Sequence, residues 1–348
     1  MQTTGFAAYA PDAPLAPWSF ERRDLRADDV ALEILFSGVC HSDLHTCRGD
    51  WGPTYNPIVP GHEIVGRVIA TGSAVTAHKE GDLVAVGCFV DSCGHCDNCE
   101  KDLEQYCRNG FTGTYGGRDR VTGDPTQGGY AKHIVVKDHF VLRMPEGLDP
   151  SKAAPLLCAG ITTWSPLRQW NVSAGTRVGV IGLGGLGHMA VKLAAALGAE
   201  VSVFSRTVGK EADAAALGAG KVVISTDAAQ MKAAAGGFDL IIDTVPVKHD
   251  LNPYLPLLDV DGTLVIVGQV GPMEEAVTVP LIMGRRRIAG SLVGGIAETQ
   301  EMLDFCAEKG VLPEVEMIAM AEINEAWDRM ERSDVRYRFV IDMATLEG

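Results

Sequence analysis

The chain has 348 residues, of which 46% are hydrophobic and 22% charged, and its formal net charge is −15; these values are typical of a globular protein with room for two domains. The acidic balance argues against nucleic-acid and membrane partners, and no apolar run reaches the roughly 20 residues of a membrane span. With no signal-peptide pattern at the start, we expect a cytoplasmic protein whose nine cysteines are not a disulfide framework.

The first 150 residues contain short β-like runs separated by turns rich in glycine and proline, such as "WGPTYNP". These runs cover residues 30–36, 63–70, 83–86 and 133–136. The pattern predicts an irregular, β-rich first domain.

After Pro150 strands and helices alternate. A strand in "TRVGVIG" (176–182) precedes a helix in 186–199, and further strands follow at 200–206, 221–225, 238–245, 262–268 and 286–294. Alternation at this period predicts an α/β fold with a doubly wound parallel sheet of about six strands. A helix is predicted at 297–310, and the late strand "YRFVIDM" is expected to rejoin the first domain.

A glycine turn links the first predicted strand of this sheet to its helix. Gly182, Gly184 and Gly187 have the G-x-G-x-x-G spacing, which allows a tight turn, close approach of a pyrophosphate and close helix packing. Glycines in a loop are often only turns, but the surrounding βαβ pattern favours a dinucleotide site.

The end of the second strand indicates which dinucleotide binds. An acidic residue there would bind the ribose of NAD, whereas this chain has Ser205 and Arg206, followed by Lys210. A cationic site suits the 2′-phosphate of NADP. The alternative is that the two basic side chains are simply exposed at the surface.

Four cysteines, Cys93, Cys96, Cys99 and Cys107, lie within fifteen residues. Four thiolates at this spacing fill a tetrahedral zinc sphere and leave no position for substrate, so the site is predicted to be structural. An iron–sulfur cluster could use similar spacing. His95 lies between ligands and is expected to be exposed.

A second metal site is suggested by Cys40, by His62 with Glu63, and by Cys158. Two cysteines and one histidine form a known catalytic zinc set with a free fourth position. Spacing alone does not distinguish a catalytic zinc site from cysteines that are simply small, buried hydrophobic residues.

Several separate motifs resemble the zinc-dependent medium-chain dehydrogenase/reductase (alcohol dehydrogenase) family, in particular its NADPH-linked branch similar to cinnamyl alcohol dehydrogenase. They are "GVCHSDLH", "PGHEIVGRV", the four-cysteine stretch, "CAGIT", "GLGGLGH" and "GSLVGGIAETQEMLDFCAE". The resemblance implies a GroES-like β-barrel catalytic domain at 1–150 with a structural zinc lobe at about 88–110. It further implies a Rossmann NADP-binding domain at 151–288 and a return segment at 289–348.

The resemblance also assigns roles by position. Cys40, His62 and Cys158 match catalytic zinc ligands, Glu63 matches a carboxylate that can enter the coordination sphere, and Ser42 and His45 match a proton relay. His45 could otherwise be a capping or surface residue. Positions that match cofactor contacts are Ser42, Thr162, Gly182, Leu183, Gly184, Gly185, Leu186, Gly187, Ser205, Arg206, Lys210, Thr244, Gly268, Ser291, Leu292, Val293 and Arg336.

The implied activity is hydride transfer between NADP(H) and primary alcohols or aldehydes, aromatic or of broad range, with two zinc ions per subunit and a homodimeric assembly. Two alternatives stay open: an NAD-dependent polyol or secondary-alcohol dehydrogenase, and a non-catalytic NADPH sensor. Trp51, Tyr55 and residues 111–117 are candidates for the substrate pocket wall.

Overall fold

The computed structural model describes residues 1–268 and 271–346. The chain divides into two compact units, Met1–Cys158 with Gly294–Gly348, and Ala159–Val293. The chain therefore divides at 158/159 and 293/294, a few residues beyond the domain boundaries predicted at 150/151 and 288/289. The predicted boundaries stay predictions.

The first stretch of the discontinuous unit is rich in short strands, as its turn-rich sequence predicts. Its strands are β1 (Gln2–Ala7), β2 (Ala16–Glu21), β3 (Asp29–Gly38), β4 (Ile64–Thr71), β5 (Leu83–Val86), β6 (Phe89–Asp91), β7 (Thr112–Gly113), β8 (His133–Lys137) and β9 (Leu142–Arg143), and its helices are α1 (His41–Arg48) and α2 (Pro150–Ala153). Strands β3, β4, β5 and β8 correspond to the four predicted runs.

The continuous unit alternates helices and strands. Its elements are α3 (Ala159–Gln169), β10 (Arg177–Ile181), α4 (Gly187–Ala196), β11 (Glu200–Ser205), α5 (Glu211–Ala216), β12 (Lys221–Ile224), α6 (Ala228–Ala233), β13 (Phe238–Asp243), β14 (Leu258–Ile266), α7 (Val279–Gly284) and β15 (Arg287–Gly290). The six strands are parallel in the order β12-β11-β10-β13-β14-β15. The strand order reverses beside β10, where open sheets of this type bind ligands. The predicted doubly wound sheet is confirmed.

One connection in this sheet differs from a regular crossover helix. The segment before β14 is a 3-10 helix, Asn252–Leu257, because Pro253 and Pro256 lack the amide hydrogen that an α-helix would use. The Tyr254 ring packs edge-on against Phe204 at 5.4 Å, and both rings are buried in the core of the sheet.

The chain then returns to the first unit through α8 (Ile296–Lys309), β16 (Val315–Ala319), α9 (Ile323–Glu331) and β17 (Arg338–Asp342). Strand β17 lies between β16 and β3 in a seven-stranded sheet, so the predicted return of the late strand is confirmed. The buried residues of α8, Thr299, Met302, Leu303 and Cys306, have the i, i+3, i+4, i+7 spacing of one helix face. Among the described residues no helix combines the length and apolar character needed to cross a membrane.

Candidate active site and metal centres

Cys93, Cys96, Cys99 and Cys107, here the four-cysteine cluster, place their sulfur atoms within 4.8 Å of one another. The Cys93–Cys99 and Cys96–Cys99 sulfur distances are 3.9 and 3.5 Å. Zn–S bonds of about 2.3 Å at tetrahedral angles separate two sulfurs by about 3.8 Å, so the cluster fits zinc.

Backbone amides prepare this cluster for a cation. The N–H of Cys93 donates to Cys107 Sγ, and the N–H of Arg108 donates to Cys96 Sγ, both at 3.4 Å. Backbone donors, that of His95 first, lower the pKa of Cys93 to about 5. The His95 side chain itself is exposed, as predicted.

Cys40, His62, Glu63 and Cys158, here the mixed cluster, bring one ligand atom each to within 4.8 Å of the others. Cys40 is the N-cap residue of α1, which follows β3, and His62 and Glu63 directly precede β4. The two sulfurs lie 3.9 Å apart, again close to the zinc-bound spacing. The adjacent Cys158 thiol and the Arg338 cation hold the pKa of Cys40 well below its ordinary value, against the effect of burial.

Asp43, which is fully buried, holds the mixed cluster in place through four hydrogen bonds. One carboxylate oxygen accepts from the backbone N–H of Gly61 and is bonded to His62 Nδ1, both at 3.0 Å. The other accepts from the Cys40 N–H at 2.9 Å and the Tyr130 hydroxyl at 3.0 Å. Burial alone would lower the pKa of His62, but the Asp43 charge outweighs it and raises the pKa. The arrangement orients Nε2 of His62 toward a metal, as carboxylate–histidine pairs do in zinc sites.

Arg338 supplies the positive charge beside the mixed cluster. Its guanidinium donates to Glu63 Oε1 and, at 2.9 Å, to the Val39 carbonyl. Burial raises the pKa of Glu63 to about 7, although Arg338 opposes this shift. Glu63 Oε2 is buried without a hydrogen-bond partner among the described residues, so this oxygen is available to a metal. Neither Asp43 nor Arg338 is among the site residues predicted from the sequence.

The predicted relay residues lie on α1. Ser42 Oγ is 3.6 Å from Cys40 Sγ, beside the mixed cluster. One turn further, His45 Nδ1 is 2.7 Å from a carboxylate oxygen of Asp50, and its ring lies 5.3 Å from that of Trp51. Asp50 is a further residue that sequence reasoning did not identify, and Trp51 is half exposed.

The glycine turn between β10 and α4 has the geometry of a phosphate-binding loop. Gly182 has φ +90°, and a Cβ on Gly187 would lie 2.3 Å from the Gly182 carbonyl oxygen, so neither position accepts a side chain. A Cβ on Gly184 would meet no atom within 4 Å, which leaves space for a pyrophosphate at the start of α4. The intervening Leu183 is buried, and Gly185 and Leu186 are partly exposed.

No acidic residue stands at the end of β11. Ser205 closes the turn, since its hydroxyl donates to the Thr207 carbonyl at 2.8 Å and accepts from the Thr207 N–H at 3.2 Å. Arg206 is exposed and Lys210 is half-buried just before α5. Neither forms an ion pair within residues 1–268 and 271–346. Both cations are therefore available for a 2′-phosphate.

The other predicted cofactor positions are spread over several elements. Thr162 is buried in α3, and Thr244 directly follows β13 and donates its hydroxyl hydrogen to the Ile181 carbonyl at 2.7 Å. A Cβ on Gly268 would lie 2.5 Å from the Thr244 backbone. Ser291, Leu292 and Val293 follow β15, and Arg336 is exposed just before β17.

Comparisons with known proteins agree with this geometry. Residues 26–146 match the model of the alcohol dehydrogenase GroES-like domain, and residues 185–308 match that of the zinc-binding dehydrogenase. NADP-dependent alcohol dehydrogenase C of Mycobacterium tuberculosis is 53% identical over 98% of each chain.

Two solved structures are also similar. Cinnamyl alcohol dehydrogenase from Sorghum bicolor has a TM-score of 0.96 and 46% identity, covering 100% of this chain and 99% of that one. The Helicobacter pylori enzyme in complex with NADP(H) has a TM-score of 0.91 and 39% identity over 99% of both chains. The chain belongs to the zinc-binding alcohol dehydrogenase family.

Family membership confirms the resemblance noted in the sequence and the predicted pairing of a GroES-like domain with a Rossmann-type sheet. Both clusters have donor sets that zinc uses in such dehydrogenases, one closed and one with a free position. The structure brings the four predicted residues of each cluster together. The roles of individual residues in metal and cofactor binding stay predictions.

Proposed function

We propose that this dehydrogenase interconverts primary alcohols and aldehydes, of aromatic or broad range, with NADP(H) as the hydride carrier. The observation that carries the proposal is the mixed cluster, in which two sulfurs, an imidazole and a carboxylate converge within 4.8 Å. Relatives named NADP-dependent alcohol dehydrogenase and cinnamyl alcohol dehydrogenase support this substrate class and cofactor.

When bound, zinc supplies a Lewis acid that polarises a carbonyl oxygen, and NADPH supplies the hydride. Cys40, His62 and Cys158 would hold the metal, and their two thiolates offset its charge. Glu63 Oε2 would serve as a fourth donor to the metal when no substrate is bound. Arg338 would compensate the buried negative charge of the Glu63 carboxylate.

The proton for the product alcohol would come from α1. The Ser42 hydroxyl lies 3.6 Å from Cys40 Sγ, and His45 stands between the interior and solvent with a side chain 30% exposed. Asp50 orients the His45 ring through Nδ1, which leaves Nε2 to pass protons between Ser42 and solvent.

A rate assay tests the activity. Purified protein is mixed with benzaldehyde or cinnamaldehyde and either NADPH or NADH, and absorbance at the reduced-nicotinamide band is followed. We expect turnover with NADPH and aromatic aldehydes. Turnover confined to NAD with sorbitol would favour the polyol dehydrogenase, and NADPH binding without turnover of any aldehyde would favour the sensor.

Cofactor choice is tested by Arg206→Asp. The carboxylate would repel the 2′-phosphate and could accept a hydrogen bond from the NAD ribose, so kcat/KM should shift from NADPH toward NADH. Lys221→Asp is the charge-matched control, since Lys221 begins the neighbouring strand β12, whereas Arg206 follows the carboxyl end of β11. A wild-type enzyme that already prefers NADH would contradict the proposed cofactor.

We also infer a homodimer joined edge to edge through the continuous units. Strand β15 is an edge of the six-stranded sheet, and an unpaired edge is a ready template for pairing with another chain. The adjacent helix α7 exposes Val279, Ile282 and Met283 at 63%, 75% and 80%. Ile282→Asp should produce monomers in sedimentation analysis, whereas a wild-type monomer would contradict the assembly.

A cytoplasmic location is proposed as well. All nine cysteines are free thiols, and two metal clusters built from thiolates are best preserved in a reducing compartment. Fractionation of cells followed by detection of the protein tests this location.

A further inference from the structure

Glu104 belongs to neither cluster, but it lies in the segment around the four-cysteine cluster, residues 88–110, here called the four-cysteine lobe. Glu104 is buried, with 1% of its surface exposed. Oε1 is bonded to His139 Nε2 at 2.7 Å, and Oε2 accepts from the backbone N–H of Ile296 at 3.1 Å. Burial alone would raise the pKa of Glu104, but its hydrogen bonds, that from His139 first, hold the pKa below its ordinary value. The lobe thus binds the start of α8 through an ionised side chain.

The same two segments also meet backbone to backbone. A Cβ on Gly295 would lie 1.8 Å from the carbonyl oxygen of Asp102 and 2.9 Å from Glu104 Oε2. Asp102 has a left-handed φ of 57° and donates its N–H to the Cys99 carbonyl at 3.1 Å. Only glycine fits at position 295, so the lobe fixes both Gly295 and Ile296.

The residues immediately before this anchor are the candidate cofactor positions Ser291–Val293. Their N-terminal end is held too, because the Ser291 N–H donates to the Ile266 carbonyl at 3.2 Å. Between the two anchors Val293 has φ +37°. A β-branched residue with positive φ is an outlier, and such a conformation persists only where the surrounding structure imposes it.

We propose that Glu104 is a positioning residue for the nicotinamide end of the cofactor. By holding Gly295 and Ile296, it maintains Ser291–Val293 in the conformation that presents backbone groups to the nicotinamide carboxamide. The inference rests on the proposed function, because it needs a nicotinamide cofactor at Ser291–Val293. It gives the four-cysteine lobe a role in cofactor binding that its zinc chemistry does not require.

Glu104 should therefore affect binding of the nicotinamide end of the cofactor and leave binding of the adenosine end unchanged. The adenosine end is assigned to the glycine turn and to Ser205, Arg206 and Lys210, which all belong to the continuous unit. Loss of the carboxylate removes the acceptor of the Ile296 N–H and releases the anchor beyond Val293. Binding of the nicotinamide ring should weaken while binding of the adenosine phosphate continues.

The experiment compares two ligands on the full-length, zinc-loaded protein. NADPH contains both ends, and adenosine 2′,5′-bisphosphate lacks the nicotinamide. Dissociation constants are measured by calorimetry for wild type, Glu104→Ala, Glu104→Gln and Gly295→Ala, together with the emission shift of bound NADPH and the zinc content. Glu322→Gln is the control, since Glu322 also accepts from a backbone amide, that of Ala319, at 2.6 Å.

We expect Glu104→Ala to weaken NADPH binding roughly ten-fold, the cost typical of losing a hydrogen bond to a charged group. Gly295→Ala should also weaken NADPH binding, because its Cβ would displace the Asp102 carbonyl. Adenosine 2′,5′-bisphosphate should bind as to wild type, and the emission of NADPH should move toward that of the free cofactor. Glu104→Gln keeps an oxygen acceptor for Ile296 and should be affected less. Glu322→Gln should behave as wild type.

Three outcomes overturn the inference: unchanged NADPH affinity, an equal loss for both ligands, or loss of lobe zinc that accounts for the weaker binding. Failure of the proposed NADP(H) cofactor is distinguishable, because the wild-type protein would then bind neither ligand. Failure of the proposed activity is distinguishable as well, because wild type would then bind both ligands without turning over any aldehyde. If wild type binds both ligands and the Glu104 variants match it, the cofactor assignment stands and the positioning role fails.

Discussion

The two metal clusters show how differently one chain can build a tetrahedral site. The four-cysteine cluster takes all its candidate ligands from residues 93–107 and is supported by local backbone N–H groups. The mixed cluster takes its candidate ligands from positions 40, 62, 63 and 158, and two buried residues, Asp43 and Arg338, hydrogen-bond to them. A site whose four ligands fill the coordination sphere can be built from one short segment of sequence. A site that keeps a coordination position free for substrate depends on tertiary structure to bring its ligands together and to exclude water.

The largest expected effect is a loss of turnover when a candidate ligand of the mixed cluster is replaced. Cys40→Ser or His62→Ala removes a ligand of the mixed cluster, so turnover should fall to background because the carbonyl is no longer polarised. NADPH affinity should persist, since the glycine turn is untouched. Steady-state rates and calorimetry measure the two properties, and undiminished turnover in either variant would refute the catalytic role of this cluster.

The matching change in the four-cysteine cluster should act on stability. Cys99→Ser opens the cage, and because structural zinc contributes its binding free energy to folding, the loss should be on the order of several kcal/mol. Thermal unfolding and zinc analysis measure it, with Cys306→Ser, a change at a buried thiol outside both clusters, as control. Equal stability of Cys99→Ser and wild type would show that the cage is dispensable.

A smaller effect is expected from the orienting carboxylate. Asp43→Asn cannot bond the His62 Nδ1–H with a full charge, and the loss of such a partner typically weakens metal binding roughly 10–100-fold. Chelator competition should show faster zinc loss from the mixed cluster and none from the four-cysteine cluster. Equal loss from both would mean that Asp43 supports the fold rather than the metal.

The smallest effect is a pH dependence at the four-cysteine lobe. The pKa of Glu104 is lowered and that of His139 is raised by their contact. The Glu104 contribution is present above its ordinary value of 4.5 and is lost as pH falls further, whereas the His139 contribution is present below 6.5 and is lost as pH rises through the raised value. The pair should therefore stabilise most between these limits.

Its size should be below about 1 kcal/mol, because His139 is half exposed and solvent screens the charge. Unfolding free energies of wild type and His139→Ala, measured from pH 4 to pH 9, should differ most in the window between the two ordinary pKa values. A difference that does not vary with pH would mean that the packing of His139 on Phe140, not its charge, is responsible.

The same contrast explains what the sequence could predict. The four-cysteine cluster and the glycine turn are local patterns, and the parallel sheet follows from alternation, so all three could be recognised directly. The ligands of the mixed cluster are far apart and came from family resemblance. Asp43 stands inside the motif "CHSDLH", but three of its four hydrogen-bond partners, Gly61, His62 and Tyr130, lie outside it. Arg338 begins a strand whose first four residues are all buried, and nothing in its sequence context indicates that it meets Glu63, 275 residues away.

The position of β17 has a consequence for how the protein is made. This strand provides Arg338 and binds the residue before Cys40, since the Val39 N–H donates to the Phe339 carbonyl at 3.0 Å. Translation from Cys158 to Arg338 takes on the order of 10 s. During that interval the nascent chain can assemble the four-cysteine cluster and the six-stranded parallel sheet. The mixed cluster still lacks the positive charge of Arg338. Metal loading at that centre is therefore expected to be the last step of maturation.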